Sequence, residues 1–188
     1  MANVDEYVAR LASPDRVAEM RPDEVVEFLH VKPDAWIADI GCGPGVFATR
    51  FARAAPLGVV FAVDVEPRQL DVLRAAVAAQ NLDNVVPVLA STNDAHLPKG
   101  RFDWLFLADT YHHLSDRIAY MRALRLALRQ GGKLALFEYK PGDLPVGPAA
   151  DHKLKAGELE RELEAAGWSL ETEISSHKYH DFQVWIPR

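Results

Sequence analysis

The sequence predicts a doubly wound α/β fold, built on a mostly parallel seven-stranded sheet that ends in an antiparallel β-hairpin. Three observations carry this. Short β-branched runs alternate with stretches of helical period. One such run passes through a glycine-rich turn directly into a helix. The last two extended runs follow each other with no room for a helix between them.

The first 22 residues are expected to form a short helical appendage ahead of a helix over 23–30. Apolar runs at 35–40, 58–63, 84–89, 102–107 and 133–137 read as strands buried on both faces. Between them, 46–55, 67–79 and 115–129 have helical period, and Ile118, Met121, Leu124 and Leu128 would make one buried stripe. Pro67 suits a first helical turn, Ser115 an N-cap, and Gly131-Gly132 the end of a helix that stops at Arg129. A further helix over 155–166 stops at Gly167, and 168–175 with 178–186 form the terminal hairpin. Residues 141–150, with three prolines and two glycines, are the expected flexible loop.

The 188 residues are 49% hydrophobic and 26% charged, enough for a single domain with its own core, and no repeat or linker divides 1–188. The single cysteine, Cys42, excludes an internal disulfide. With 21 basic and 27 acidic side chains the net charge is −6, which disfavours nucleic-acid and anionic-membrane partners. No apolar stretch approaches a membrane span and the N-terminus lacks a secretory pattern, so a cytoplasmic protein is expected.

The most informative segment is Trp36-Ile-Ala-Asp39-Ile-Gly41-Cys42-Gly43-Pro-Gly45-Val46. Glycines at such a bend let a ligand approach the backbone, and the helix beyond offers free N–H groups. The spacing is G-x-G-x-G, and Val46 stands where a dinucleotide fingerprint requires its third glycine. Asp39 puts a carboxylate where a diphosphate would otherwise lie. That suits a cationic ligand, and S-adenosylmethionine joins a cation, a carboxylate and a nucleoside. After the second strand, Asp64 is positioned for ribose hydroxyls or as an N-cap, and Val65 for an adenine face. After the third, the polar turn with Asn93 and Asp94 can reach the adenine amino group. Cys42 is read as a small filler within the cofactor bend.

These residues, in this order, resemble the class I S-adenosylmethionine-dependent methyltransferases from about Val25 onward. The resemblance implies the family's Rossmann-like fold. Asp39, Gly41, Gly43 and Gly45 match its first motif, Asp64 its ribose acid, and Asn93-Asp94 its adenine turn. Phe102-Asp-Trp-Leu105 resembles its fourth strand, and Leu128-Arg-Gln-Gly-Gly132 its entry to the fifth. The family's usual aspartate before Ala-x-x-Leu-Pro aligns with Asn93, so Asn93 and Asp94 remain alternatives for the adenine contact.

Acceptor-facing residues are expected after the fourth strand, at Asp109-Thr-Tyr111-His112-His113, where Asp109 would border the cofactor. Methyl transfer needs alignment, and a protic acceptor also needs a base. Histidine titrates nearest neutrality, so one of His112 and His113 is the expected base, His112 being preferred, with Tyr111 beside it; backbone bonding within the turn is the alternative. No ligand spacing marks a metal site. Glu138 is expected either to bind a polar substrate group or to lie as a solvated strand end. Arg117, Arg122, Arg125 and Arg129 read as a solvated basic helix face, and His152 and Lys153 as surface residues beside a lid. The expected activity is methyl transfer from S-adenosylmethionine to a small-molecule acceptor, the site being open, lidded or completed in a homodimer. A cofactor-binding regulatory protein and a nicotinamide oxidoreductase are the alternative readings.

Overall fold

In the computed structural model, residues 4–188 are described, so the first three residues of the expected appendage lie outside them. The chain divides into two compact units, Met1–Ser91 and Thr92–Arg188. Its seven strands form a mixed sheet, mostly parallel, that ends in an antiparallel hairpin.

The first unit opens with three short helices, α1 (Val4–Leu11), α2 (Pro14–Met20) and α3 (Pro22–Phe28). It continues with β1 (Trp36–Ile40), α4 (Ala48–Ala54), β2 (Val59–Asp64), α5 (Pro67–Ala79) and β3 (Val85–Leu89). β2 lies between β1 and β3, and both pairings are parallel. Parallel pairing brings Asp39 and Asp64 to the carboxyl ends of adjacent strands. Ile37, Ala38, Val60, Ala62, Phe51, Leu70 and Leu73 are buried around these strands, and each large side chain among them contributes roughly 1.5–3 kcal/mol. α5 begins with Pro67 and is N-capped by Glu66, whose side chain accepts the Arg68 N–H at 3.1 Å.

The second unit contains β4 (Phe102–Ala108), a 3₁₀ turn Tyr111–His113, α6 (Arg117–Leu124), β5 (Leu128–Tyr139), α7 (Glu158–Ala165), β6 (Trp168–Ile174) and β7 (His180–Pro187). β5 pairs in parallel with β4, and β7 lies antiparallel between β5 and β6. The helix expected over 115–129 is shorter. Asp116, not Ser115, caps α6, and after a single 3₁₀ turn Leu128 already pairs with Phe102 on β4. Gly131-Gly132 therefore belongs to a strand rather than a helix end. Gly132 lies against the Phe102 carbonyl oxygen, which a Cβ would approach to 2.6 Å. Sheet pairing has overridden helical period here. Among the described residues no helix is long and apolar enough to cross a membrane.

Of the arginines expected on a solvated face, Arg122 and Arg129 are exposed and Arg117 and Arg125 half-buried, and three of the four hold α7 or the tail. Arg117 donates Nε and Nη2 to Glu162 at 2.6 and 2.7 Å, and Nη2 also reaches Glu158 at 2.6 Å. Arg122 and Arg125 donate to the carbonyls of Ala165 and Ala166, satisfying the carboxyl end of α7, and Arg125 also reaches the Arg188 carbonyl. Arg129 pairs with Asp103.

Candidate active site

In the first unit the glycine bend is tied to the strand beside it. The N–H groups of Gly41 and Cys42 both donate to the Val63 carbonyl, at 2.8 and 3.0 Å. Gly43 donates to Asp64 Oδ2 at 2.8 Å, and Asp64 Oδ1 accepts the Glu66 N–H at 2.9 Å. Asp64 is thus the brace of the bend, and the N-cap role falls to Glu66. Gly45 takes φ +91°, and a Cβ there would meet Leu73 Cδ1 at 2.4 Å, so only glycine fits without displacement.

Asp39 is 2% exposed and its Oδ2 finds no donor. Burial, with the charge of Asp64 adding to it, pushes this carboxyl up to about 8, against the pull of the Ala48 N–H. Burial also raises Asp64. Two carboxylates that resist ionising together favour a cation and repel a diphosphate. Gln69, also buried, has an Oε1 without a donor, 3.9 Å from where a Gly43 Cβ would stand. Cys42 is a buried thiol raised well above its ordinary value by burial and by Asp39 and Asp64, so it is inert as a nucleophile. Val65 is 52% exposed, available to a flat apolar ligand face.

In the second unit Asn93 and Asp94 occupy an exposed turn, in which Asp94 Oδ1 accepts the His96 N–H at 2.8 Å. The residues after β4 form two carboxylate–histidine pairs. His112 Nδ1 lies 2.7 Å from Glu138 Oε1, and the His112 backbone N–H reaches Glu138 Oε2 at 3.3 Å. His180 Nε2 lies 3.1 Å from Asp109 Oδ1. All four side chains are at most 7% exposed. Burial pulls His112 down, but the hydrogen bond and charge of Glu138, with the charge of Asp109, outweigh it and raise His112 above 6.5. His113 is lowered, by burial and by His112, whose ring lies 4.0 Å away.

Glu138 is therefore neither a solvated strand end nor an open substrate contact: it is 3% exposed and committed to His112. Tyr111 departs from its expected catalytic place. Its ring is fully buried and its hydroxyl donates to Glu162 Oε2 at 2.8 Å, beside Arg117. Burial and Glu162 keep that phenol neutral, so it braces the turn that carries His112. Lys153 is buried as well, donating to the Gly142 carbonyl at 3.1 Å, whereas His152 is exposed. Asp109 is held by His180, a residue that the sequence reading did not single out. Nothing in the spacing of residues 109 and 180 joins them before the hairpin folds.

A family model described as a methyltransferase domain matches residues 37–132. The chain belongs to this family, as a class I S-adenosylmethionine-dependent methyltransferase. A 27-O-demethylrifamycin SV methyltransferase of Amycolatopsis mediterranei (strain S699) is 31% identical over 153 residues, 80% of this chain and 52% of that protein. The chain spans about half the length of the curated relatives it matches. Among solved structures, a SAM-dependent methyltransferase from Aquifex aeolicus superposes with a TM-score of 0.91 at 23% identity, covering 97% of this chain and 98% of that one. The trans-methyltransferase CalH, in complex with SAH, superposes at 0.71 with 16% identity, over 96% of this chain and 62% of that one. S-adenosylmethionine is the cofactor of the class I methyltransferases, the family to which the chain belongs. The residues of the first unit fit it: the donor-less Asp39 oxygen and the bare glycine bend suit a cationic ligand carrying N–H donors.

Proposed function

We propose that this methyltransferase acts on a hydroxyl of a small molecule, with His112 as the general base. The observation that carries the reading is the buried His112–Glu138 pair. A neutral amine attacks without losing a proton first, whereas a hydroxyl is a weak nucleophile until a base takes its proton. A histidine whose Nδ1 is fixed by a carboxylate offers its Nε2 for that step, and the carboxylate balances the imidazolium as it forms. The name of the Amycolatopsis relative accords with an oxygen acceptor. Asp109 and Glu138, beside His112, disfavour an anionic acceptor, and the −6 net charge disfavours nucleic acid.

Asp39 and the bend Gly41, Cys42, Gly43 and Gly45 would hold the amino-acid end of the cofactor, Asp64 the ribose and Val65 the adenine. When bound, S-adenosylmethionine supplies an electrophilic methyl group. The chain's own part is to orient the acceptor hydroxyl, take its proton on His112 Nε2 and keep Glu138 charged opposite Nδ1. Residues 1–188 serve in this reading as one cofactor-binding domain.

A screen of a metabolite extract with methyl-labelled S-adenosylmethionine tests this. Label on an oxygen of a small neutral or cationic compound supports the reading. Label confined to nitrogen or to macromolecules overturns it.

A further inference from the structure

We infer that His180, on the C-terminal hairpin, is a positioning residue that holds the Asp109 carboxylate where its charge acts on His112. The inference rests on the reading of His112 as the base.

Asp109 is the first residue beyond β4. Its N–H extends the ladder to the Phe137 carbonyl at 2.8 Å, and its φ of +50° turns the chain toward the 3₁₀ turn bearing His112. A non-glycine residue in that conformation persists only where its surroundings impose it. His180 is one such contact, fully buried, with Nε2 3.1 Å from Asp109 Oδ1. The His180 ring has little freedom. It stacks on Phe137 at 4.2 Å and 17°, Tyr139 packs at 4.2 Å, and the antiparallel register sets His180 opposite Tyr139. His177 closes the far side of Phe137 edge-on at 4.9 Å.

The groups facing His112 are Glu138 from β5, Asp109 from the end of β4, Arg117 from α6 and His113 from the same turn. Glu138 and Asp109 favour its protonated form and Arg117 opposes it. Without the His180 contact the Asp109 carboxylate is no longer held in place, and its influence on His112 falls as it turns away. Removing the His180 Nε2 contact should therefore make His112 a weaker base without touching it. Replacing His180 by phenylalanine keeps an aromatic ring for the stacking and removes both ring nitrogens, of which Nε2 is the one that contacts Asp109.

The test is a histidine-selective NMR pH titration of His112 in the full chain, comparing wild type with His180→Phe, His180→Gln, Asp109→Asn and Glu138→Gln, with melting curves for each. His180→Phe and Asp109→Asn are expected to lower the His112 midpoint by at least about half a pH unit, and His180→Gln, which keeps an amide N–H, to restore most of it. Asp109→Asn leaves the stacked ring in place and carries the test should His180→Phe melt early. An unmoved midpoint in both variants overturns the inference, as does a His180→Gln protein no better than His180→Phe. If Glu138→Gln also leaves the midpoint unmoved, the His112–Glu138 reading itself fails. If Glu138→Gln lowers it and the His180 and Asp109 variants do not, only the role of His180 is lost.

Discussion

Nδ1 of His112 and Oε1 of Glu138 lie 2.7 Å apart, both side chains nearly sealed from solvent, although 26 residues separate them in the chain. β5 delivers the carboxylate and the turn after β4 delivers the imidazole, so parallel pairing of β4 with β5 brings them together. In the proposed reading the pair leaves Nε2 for an acceptor and sets the direction in which the site responds to pH.

Because His112 is raised above 6.5, it is protonated and idle as a base at acid pH. Turnover should rise with pH through an apparent value above 6.5. Glu138→Gln removes the main stabiliser of the charged ring, so the rising limb should move to lower pH and its plateau should fall at least about tenfold. A pH–rate profile of both proteins measures this.

Asp39 gives a second pH signature, with the opposite bearing on stability. Its folded-state value of about 8 lies above its ordinary 3.8, so its contribution to stability is present below pH 3.8 and is lost as pH climbs toward 8. Asp39→Asn should abolish that loss in the ligand-free protein, so its melting temperature gains on wild type progressively between pH 5 and 8, read from melts across that range. The same change removes the anionic oxygen meant for the cationic ligand. Calorimetry should show affinity for S-adenosylmethionine weakened at least about tenfold, or roughly 1.4 kcal/mol.

Gly45→Ala forces a Cβ to 2.4 Å from Leu73 and a side chain into φ +91°. We expect a stability loss of at least about 2 kcal/mol by urea denaturation, with cofactor binding reduced in parallel. Adding Leu73→Ala should not restore stability, because the backbone strain remains and a cavity is added.

Tyr111 separates the bracing role from the catalytic one. Tyr111→Phe deletes one bond to Glu162 and should cost about 1–2 kcal/mol, seen as a few degrees in melting temperature, while turnover stays within about twofold. A large fall in turnover at unchanged stability would return the phenol to the chemistry.

Local patterns were enough to read the order of strands and helices, the glycine bend, Asp64 at the end of β2, and His112 after β4, because each is written within a few consecutive residues. Pairings across long separations were not legible. Glu138 with His112, Asp109 with His180 and Arg117 with Glu162 are joined only by sheet register and helix docking. Arg122 and Arg129 are solvated as their helix stripe suggests, but that spacing does not reveal that Arg122 and Arg125 reach the carbonyls at the end of α7 or that Arg117 pairs with Glu162. The stretch 125–132 misled for a related reason: its apolar period continues α6, while Gly131 at φ +77° and the pairing of Leu128 with Phe102 turn it into strand.

The most direct measurement is S-adenosylhomocysteine formation by wild type and His112→Ala at saturating S-adenosylmethionine, with a panel of small phenols and alcohols as acceptors. The account predicts at least about tenfold slower turnover in the variant, with cofactor affinity within about threefold. Equal turnover in the two proteins would contradict it.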